Sequence, residues 1–134
     1  LTILNKNVNI YLGFRNKDFV VLEDEFKAVA SNIVVSTDDG SYGANGFAID
    51  FMKEDIKQNG VDCIFACGPL PMLKAVQAYA NENNIPCQIS LEEKMGCGIG
   101  ACIGCAVKYK TETEDTFKRV CKEGPVFFSN VVEL

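Results

Sequence analysis

Residues 96–105 read Gly96-Cys97-Gly98-Ile99-Gly100-Ala101-Cys102-Ile103-Gly104-Cys105. Three of its residues are cysteines, and the next cysteine along the chain is Cys121. The pattern Cys-x4-Cys-x2-Cys followed by a distant fourth cysteine is the plant-type spacing of a [2Fe–2S] cluster. We therefore predict that Cys97, Cys102, Cys105 and Cys121 are metal ligands, the first three on one loop and the fourth on a separate strand.

The residues between these cysteines support the prediction. Four glycines lie in or beside the loop, so the backbone can wrap closely around an inorganic core and direct its amides at sulfur. The remaining neighbours are apolar, and we expect them to exclude water from the cluster. They are Met95, Ile99, Ala101 and Ile103.

Three other interpretations of the four cysteines compete with the cluster. Structural zinc normally uses two short Cys-x2-Cys-like pairs, whereas here the first gap is four and the last cysteine stands alone. Disulfides require an oxidising compartment. Buried, unreactive thiols would explain one or two positions but not four at this spacing.

The other three cysteines have separate roles. Cys63 and Cys87 lie in strand patterns, where a thiol acts as a small core hydrophobe. Cys67 ends its strand just before a helix, and in an open parallel sheet that edge is where ligands bind. A structural role and a ligand-binding role for Cys67 both stay open.

Composition narrows the functional class. The 134 residues carry a net charge of −5 and contain no histidine, which excludes imidazole catalysis and imidazole metal ligands. No basic stripe points to nucleic acid as a partner, and no apolar run approaches the roughly 20 residues that span a bilayer. With seven cysteines and no secretory leader, we expect a reducing, cytoplasmic location.

The first two-thirds of the chain alternates between strand and helix patterns. β-Branched or apolar runs predict strands. Two amphipathic segments predict helices, the first with Phe47, Phe51, Met52 and Ile56 on its apolar face and the second with Leu73, Val76, Tyr79 and Ala80. Such alternation predicts an α/β fold with a parallel, doubly wound sheet. The predicted strands are residues 8–13, 33–37, 62–67, 87–91, 106–110 and 116–121. We expect a nucleotide-binding domain over residues 1–92 and a cluster-binding domain over residues 93–134.

Together the motifs resemble a known family. In chain order they are Leu12-Gly13-Phe14-Arg15, Ser36-Thr37-Asp38-Asp39-Gly40-Ser41, Cys67-Gly68-Pro69, Glu92-Glu93-Lys94-Met95-Gly96-Cys97 and Arg119-Val120-Cys121-Lys122-Glu123-Gly124-Pro125-Val126-Phe127. The chain resembles the C-terminal half of the electron-transfer subunits of dihydroorotate dehydrogenase B, members of the ferredoxin–NADP reductase superfamily. The cluster loop is the most specific of these motifs.

The resemblance implies more than this sequence contains. An intact subunit of the family has an FAD-binding barrel, a pyridine-nucleotide domain and a [2Fe–2S] domain. We find neither the barrel nor the first nucleotide-domain strand with its glycine-rich turn, so we expect a truncated nucleotide domain and an inactive fragment. The resemblance also implies a cytoplasmic heterotetramer with an FMN-containing catalytic subunit that oxidises dihydroorotate and passes electrons through the cluster to FAD and NAD.

The family also suggests which residues contact the nucleotide. It places Asp39 and Gly40 at the ribose or nicotinamide edge, and Cys67 and Gly68 beside the nicotinamide. Phe14 and Arg15 would lie at the adenosine end, where an arginine also suits the 2′-phosphate of NADP. Against these assignments, Asp39-Gly40 is an ordinary turn pair and Arg15 an ordinary solvated side chain.

Two further functions stay open. One is the flavoprotein subunit of a bifurcating ferredoxin–NADP reductase or sulfide dehydrogenase, which shares this architecture. The other, from a different class, is a zinc-stabilised interaction module without a redox role.

Overall fold

Parallel strands form the centre of the first part of the chain. The computed structural model describes residues 6–111 and 114–134, and the chain divides into the units Leu1–Gly60 and Val61–Leu134. In the first unit β1 (Asn9–Phe14) pairs in parallel with β2 (Asn32–Thr37), and β2 pairs in parallel with the short β3 (Ala44–Asn45). The predicted parallel arrangement is confirmed here.

Two helices accompany this sheet. A single-turn helix α1 (Glu23–Lys27) precedes β2, and α2 (Ala48–Asn59) follows β3. β1 and α2 approach closely at Gly13, where an added Cβ would lie 3.0 Å from the Cβ of Ala48. Of the predicted inner face of α2, Met52 is buried, whereas Phe47 precedes the helix and is 63% exposed. That part of the prediction was wrong because Phe47 is the N-cap residue and lies outside the helical repeat.

A second parallel pair opens the second unit. β4 (Ile64–Cys67) leads into α3 (Leu70–Glu82) and returns as β5 (Cys87–Ser90), with Ile64 opposite Cys87. α3 begins after Pro69 and buries residues spaced three and four apart, as its amphipathic pattern predicts. Its buried residues are Leu73, Val76, Tyr79 and Ala80.

After β5 the chain becomes irregular and then antiparallel. The elements that follow are β6 (Ala106–Lys110), β7 (Asp115–Arg119), α4 (Val120–Glu123), β8 (Val126–Phe128) and β9 (Val132–Glu133). β6 lies between β7 and β9, and β8 joins the edge of β5. Ile89 of β5 and Phe127 of β8 are opposite each other and both buried.

The structure agrees with the predicted fold class. It is an α/β chain with parallel βαβ pairing and a small antiparallel lobe after β5. The functional boundary at residues 92/93 stays a prediction. Within residues 6–111 and 114–134, no helix is both long enough and apolar enough to cross a bilayer.

Candidate metal centre

The three clustered cysteines lie on the loop that connects β5 to β6. Residues 91–105 contain neither helix nor strand, and Gly98 and Gly100 adopt left-handed φ values of 68° and 79°. Only glycine takes such values without strain, so these two positions let the loop curl back on itself. As a result, backbone amides face the cysteine sulfurs.

Cys97 receives most of these amides. The Cys102 N–H donates to Cys97 Sγ at 3.4 Å, and the amides of Ile99 and Ala101 also donate to it. The Cys102 amide contributes most, and together the amides lower the pKa of the Cys97 thiol to about 6. Because the thiolate is the form that binds metal, this side chain is prepared for coordination.

Cys105 and Cys121 form a second pair. Cys105 is only 2% exposed, and its pKa is lowered first by the Cys121 amide and next by the Cys121 thiol. The same thiol contact raises the pKa of Cys121. The backbone closes this pair as well, because the Val120 N–H donates to the Cys105 carbonyl at 3.0 Å.

The fourth cysteine lies in a different element from the one predicted. Cys121 belongs to the single-turn helix α4, since β7 ends at Arg119. The prediction that a strand delivers this ligand was therefore wrong. The helical turn directs the Cys121 amide toward Cys105, a contact that the extended backbone of a continuing strand would not provide.

The donor chemistry of this site fits an iron–sulfur cluster. Cys97 contacts Cys102 and Cys105 contacts Cys121, so the thiols lie in two pairs, and four cysteine thiolates are the ligand set that would hold a [2Fe–2S] cluster. The Cys102 sulfur lies near two glycines, at distances that an added Cβ would meet as ordinary van der Waals contact. An added Cβ at Gly96 or Gly104 would come within 3.4 Å or 3.6 Å of it. Among the described residues, however, no three potential ligands are gathered around one point.

The apolar residues of the loop face solvent. Ile99 is 77% exposed, Ile103 82% and Met95 52%. They do not pack over the thiols in this chain, so the expectation that they exclude water is not met by the chain alone. They form an exposed apolar rim (Met95, Ile99 and Ile103) on the cluster loop.

Sequence reasoning missed an arginine beside the thiols. Arg119 Nη1 donates to the Gly100 carbonyl at 2.7 Å, and Arg119 Nη2 donates to Glu123 Oε1 at 2.6 Å. The hydrogen bonds from Arg119 lower the pKa of Glu123 to about 2. The one available signal was the Arg-x-x-x-Glu spacing around Cys121, which is common in helices and does not reveal a backbone acceptor elsewhere.

The predicted nucleotide contacts lie at strand ends. Phe14 ends β1 and is half-buried, while Arg15, Asp39 and Gly40 are exposed just beyond β1 and β2. Parallel pairing of Phe14 with Thr37 brings these four residues to the same edge of the first unit's sheet.

The local contacts of Asp39 explain part of its role. Its carboxylate accepts hydrogen bonds from the Ser41 hydroxyl at 2.6 Å and the Ser41 amide at 2.9 Å, and these bonds lower its pKa. Asp39 therefore stabilises its own turn. In the second unit, Cys67 is exposed at the end of β4, and Gly68 and Pro69 connect it to α3. Nucleotide binding at all six positions stays a prediction.

Of the two cysteines predicted to be core residues in strands, only Cys87 is one, because β4 begins after Cys63. Cys87 is 3% exposed, and burial raises the pKa of its thiol. Cys63 is half-buried just before β4. All seven cysteines are free thiols.

Comparison with known proteins identifies the cluster segment. Residues 92–133 match the family described as the iron–sulfur cluster binding domain of dihydroorotate dehydrogenase B. This segment begins just after β5 and contains all four predicted ligands.

Curated relatives match nearly the whole chain. The "Dihydroorotate dehydrogenase B (NAD(+)), electron transfer subunit" of Caldanaerobacter subterraneus subsp. tengcongensis is 46% identical over 92% of this chain and 48% of its own length. The protein of the same name from Fusobacterium nucleatum subsp. nucleatum is 45% identical over 93% of this chain and 47% of its own. The chain thus spans about half the length of the curated relatives it matches.

A solved structure shares the fold. It is a chain from the NADH-dependent reduced ferredoxin–NADP oxidoreductase, described in connection with flavin-based electron bifurcation. The two chains superpose with a TM-score of 0.81 at 32% identity, over 99% of this chain and 46% of the other. The resemblance to the dihydroorotate dehydrogenase B subunits and the ferredoxin-reductase-like fold are both confirmed.

Proposed function

We propose that this chain, which matches dihydroorotate dehydrogenase B electron transfer subunits over nine-tenths of its length, carries the [2Fe–2S] centre of such a subunit. The observation that supports this most directly is the pairing of Cys97 with Cys102 and of Cys105 with Cys121, each pair receiving backbone amides. When bound, the cluster would supply one-electron transfer.

The protein's own contribution is to bind and to orient. The four thiols supply the ligands, and amides at Cys97 and Cys105 stabilise negative charge on sulfur. Gly96 and Gly104 lie beside the Cys102 sulfur. Hydrogen bonds to sulfur and the degree of solvent exposure are the means by which such a loop adjusts a cluster's reduction potential.

We further propose that the subunit serves dihydroorotate oxidation in pyrimidine biosynthesis, with FAD and NAD as its other cofactors. The names of the relatives support the substrate and NAD, and the likeness to a ferredoxin–NADP oxidoreductase supports the flavin. The six strand-end residues named above are our candidates for nucleotide contacts. We also propose a cytoplasmic location, because thiols that bind a cluster are kept reduced in that compartment.

The partner in this proposal is an FMN-containing catalytic subunit, in a heterotetramer. The apolar rim on the cluster loop supports an interface close to the ligands, because three exposed apolar side chains gain from burial by a partner. Light scattering of the co-expressed proteins tests the assembly, and a complex that excludes this chain would contradict it.

Spectroscopy tests the metal centre itself. Anaerobically purified chain, reconstituted with iron and sulfide, should absorb in the region of roughly 400–600 nm and contain iron and acid-labile sulfide in equal amounts. The zinc-stabilised alternative predicts a colourless protein with stoichiometric zinc that takes up no sulfide. That outcome would overturn the cluster assignment.

A second candidate function is a subunit of a bifurcating ferredoxin–NADP reductase. The superposition over 99% of this chain favours it. The two functions separate on the electron donor. On our first proposal, the complete complex should oxidise dihydroorotate and reduce NAD. On the second, it should leave dihydroorotate unchanged and reduce NADP with electrons from reduced ferredoxin and NADH.

A further inference from the structure

Arg119 is placed to act on the cluster loop from a distant part of the chain. It is the last residue of β7 and directly precedes α4, which carries Cys121. Its Nη1 donates to the carbonyl oxygen of Gly100 at 2.7 Å. Gly100 is buried and lies between Cys97 and Cys102 in sequence. One side chain thus connects the segment of the fourth predicted ligand to the loop of the other three.

The guanidinium is fixed from its other side. Glu123 Oε1 accepts from Arg119 Nη2 at 2.6 Å, and Glu123 Oε2 accepts from Arg119 Nε at 3.2 Å. Glu123 Oε2 also accepts from the Arg119 backbone N–H at 2.6 Å. A two-pronged arginine–carboxylate contact holds the planar group in one orientation, so the Nη1 donor has a defined direction.

The acceptor belongs to the peptide unit that faces the first ligand. The Gly100 carbonyl and the Ala101 N–H share one planar peptide, so fixing the oxygen fixes the direction of the N–H. This peptide directly precedes Cys102, whose own N–H donates to Cys97 Sγ at 3.4 Å. Gly100 adopts a left-handed φ of 79°. The hydrogen bond from Arg119 therefore helps to hold an otherwise permissive glycine conformation.

The charge of Arg119 also reaches the second cysteine pair. Arg119 lies two residues before Cys121, and the N–H of Val120 between them donates to the Cys105 carbonyl at 3.0 Å. A fixed positive charge and amides directed at sulfur both favour the more negative, reduced form of a cluster. These effects act in the same direction, one through the Gly100–Ala101 peptide and one through space.

We propose that Arg119 is a positioning residue that raises the reduction potential of the bound cluster by holding the Gly100–Ala101 peptide and placing its charge beside Cys105 and Cys121. The inference rests on the proposed function, because it requires the four thiols to hold a cluster.

The experiment compares Arg119→Gln and Arg119→Lys with the unsubstituted full chain after reconstitution. Redox titration with dithionite and mediators measures the potential, and visible circular dichroism reports the geometry around sulfur. Arg119→Gln should make reduction less favourable by about tenfold in the equilibrium constant, or about 59 mV for one electron. Arg119→Lys keeps the positive charge but loses the two-pronged contact with Glu123. Its reduction potential should therefore lie between those of the unsubstituted chain and Arg119→Gln, and its dichroism spectrum should change.

Lys118→Gln is the matched control. Lys118 is the neighbouring residue on the same strand, also a cation, and its Nζ lies 5.6 Å from the centre of the Tyr109 ring. Its removal should leave the potential and the dichroism spectrum unchanged. An equal shift in Lys118→Gln would overturn the proposal, since the effect would then be one of net charge alone.

The outcomes distinguish this inference from the proposed function. A chain that takes up no iron and sulfide before any substitution contradicts the function. A chain that does, but whose Arg119→Gln variant keeps the original potential and dichroism spectrum, contradicts only the role of Arg119. If Arg119→Gln assembles no cluster, Arg119→Lys decides, and an unchanged potential and spectrum there would overturn the proposal.

Discussion

The backbone N–H of Leu91 donates to the carbonyl oxygen of Pro125 at 3.0 Å. The chain therefore leaves the β4–β5–β8 sheet and returns to it at adjacent positions, and all four predicted ligands lie between the two. β8 holds the return point in place by pairing Phe127 with Ile89. The geometry of the metal centre thus depends on the packing of a three-residue strand.

Removing the Phe127 ring should destabilise the second unit. The side chain is 7% exposed and packs near Tyr109, with ring centres 6.2 Å apart. We expect Phe127→Ala to lower the free energy of unfolding by about 3–5 kcal/mol. Urea denaturation followed by circular dichroism measures the change. Phe128→Ala is the matched control, since Phe128 is 56% exposed, and a comparable loss there would contradict the assignment of Phe127 to the core.

The cysteines should divide into two groups on substitution. Cys102→Ser removes a predicted ligand, so the reconstituted protein should lose its visible absorption or bleach rapidly in air. Cys63→Ser should keep the spectrum, because Cys63 lies half-buried before β4 and outside the cluster loop. Absorption and iron content measure both variants. Identical behaviour of the two would show that the ligand assignment is wrong.

Two glycines of the cluster loop should respond differently to alanine. Both have left-handed φ, but an added Cβ meets nothing at Gly98, whereas at Gly100 it would lie 2.7 Å from Lys122 Cδ. Gly98→Ala should lower the free energy of unfolding by about 1–2 kcal/mol from backbone strain alone. Gly100→Ala should lower it further, because the added Cβ also meets Lys122. Equilibrium unfolding of each variant gives the comparison. Adding Lys122→Ala should relieve part of the Gly100→Ala penalty, and equal costs with and without Lys122 would contradict this contact.

Acid should remove one stabilising contact of the first unit. Asp55 accepts hydrogen bonds from Tyr11 and from Asn59, and these bonds, that of Tyr11 foremost, lower its pKa. A carboxylate whose pKa is lower in the folded than in the unfolded chain stabilises the fold when it is ionised. This stabilisation is fully present above the pKa of the unfolded chain, which is about 4 for aspartate. That stabilisation is lost as pH falls through the folded value.

The test compares the unsubstituted chain with Asp55→Asn across this range. At neutral pH the variant should be less stable, and the difference should shrink toward zero as pH falls below about 4. Thermal unfolding at several pH values measures it. A difference that is independent of pH would show that ionisation of Asp55 does not stabilise the fold.

Much of the fold follows from local sequence pattern. The predicted strand at residues 106–110 coincides with β6, and the run at residues 33–37 lies within β2, because alternating or β-branched residues bounded by polar turns carry a strong signal. β8 was not predicted. Three residues after Gly124-Pro125 are too few to show a period, and only pairing with β5 makes them a strand.

Part of the candidate site also follows from the sequence, and part depends on tertiary structure. Cysteine spacing identifies the thiols because metal geometry constrains sequence directly. The contact between Arg119 and Gly100 leaves no such trace, since its acceptor is a main-chain oxygen and its geometry depends on tertiary packing. The placement of Cys121 on a helical turn was missed for a related reason, because the strand pattern continues through Val120 into Cys121.

The side-chain amide of Gln77 on α3 connects that helix to the last residues of the chain. Its Nε2 donates to the Val132 carbonyl at 2.8 Å and to the Ser129 carbonyl at 2.5 Å, and Val132 belongs to β9, which pairs with β6. A segment that begins at residue 92 would lack Gln77, the donor to these carbonyls, and would also lack β5, the partner of β8. Moving the cluster-binding segment into another protein should therefore require that β4, α3 and β5 be moved with it.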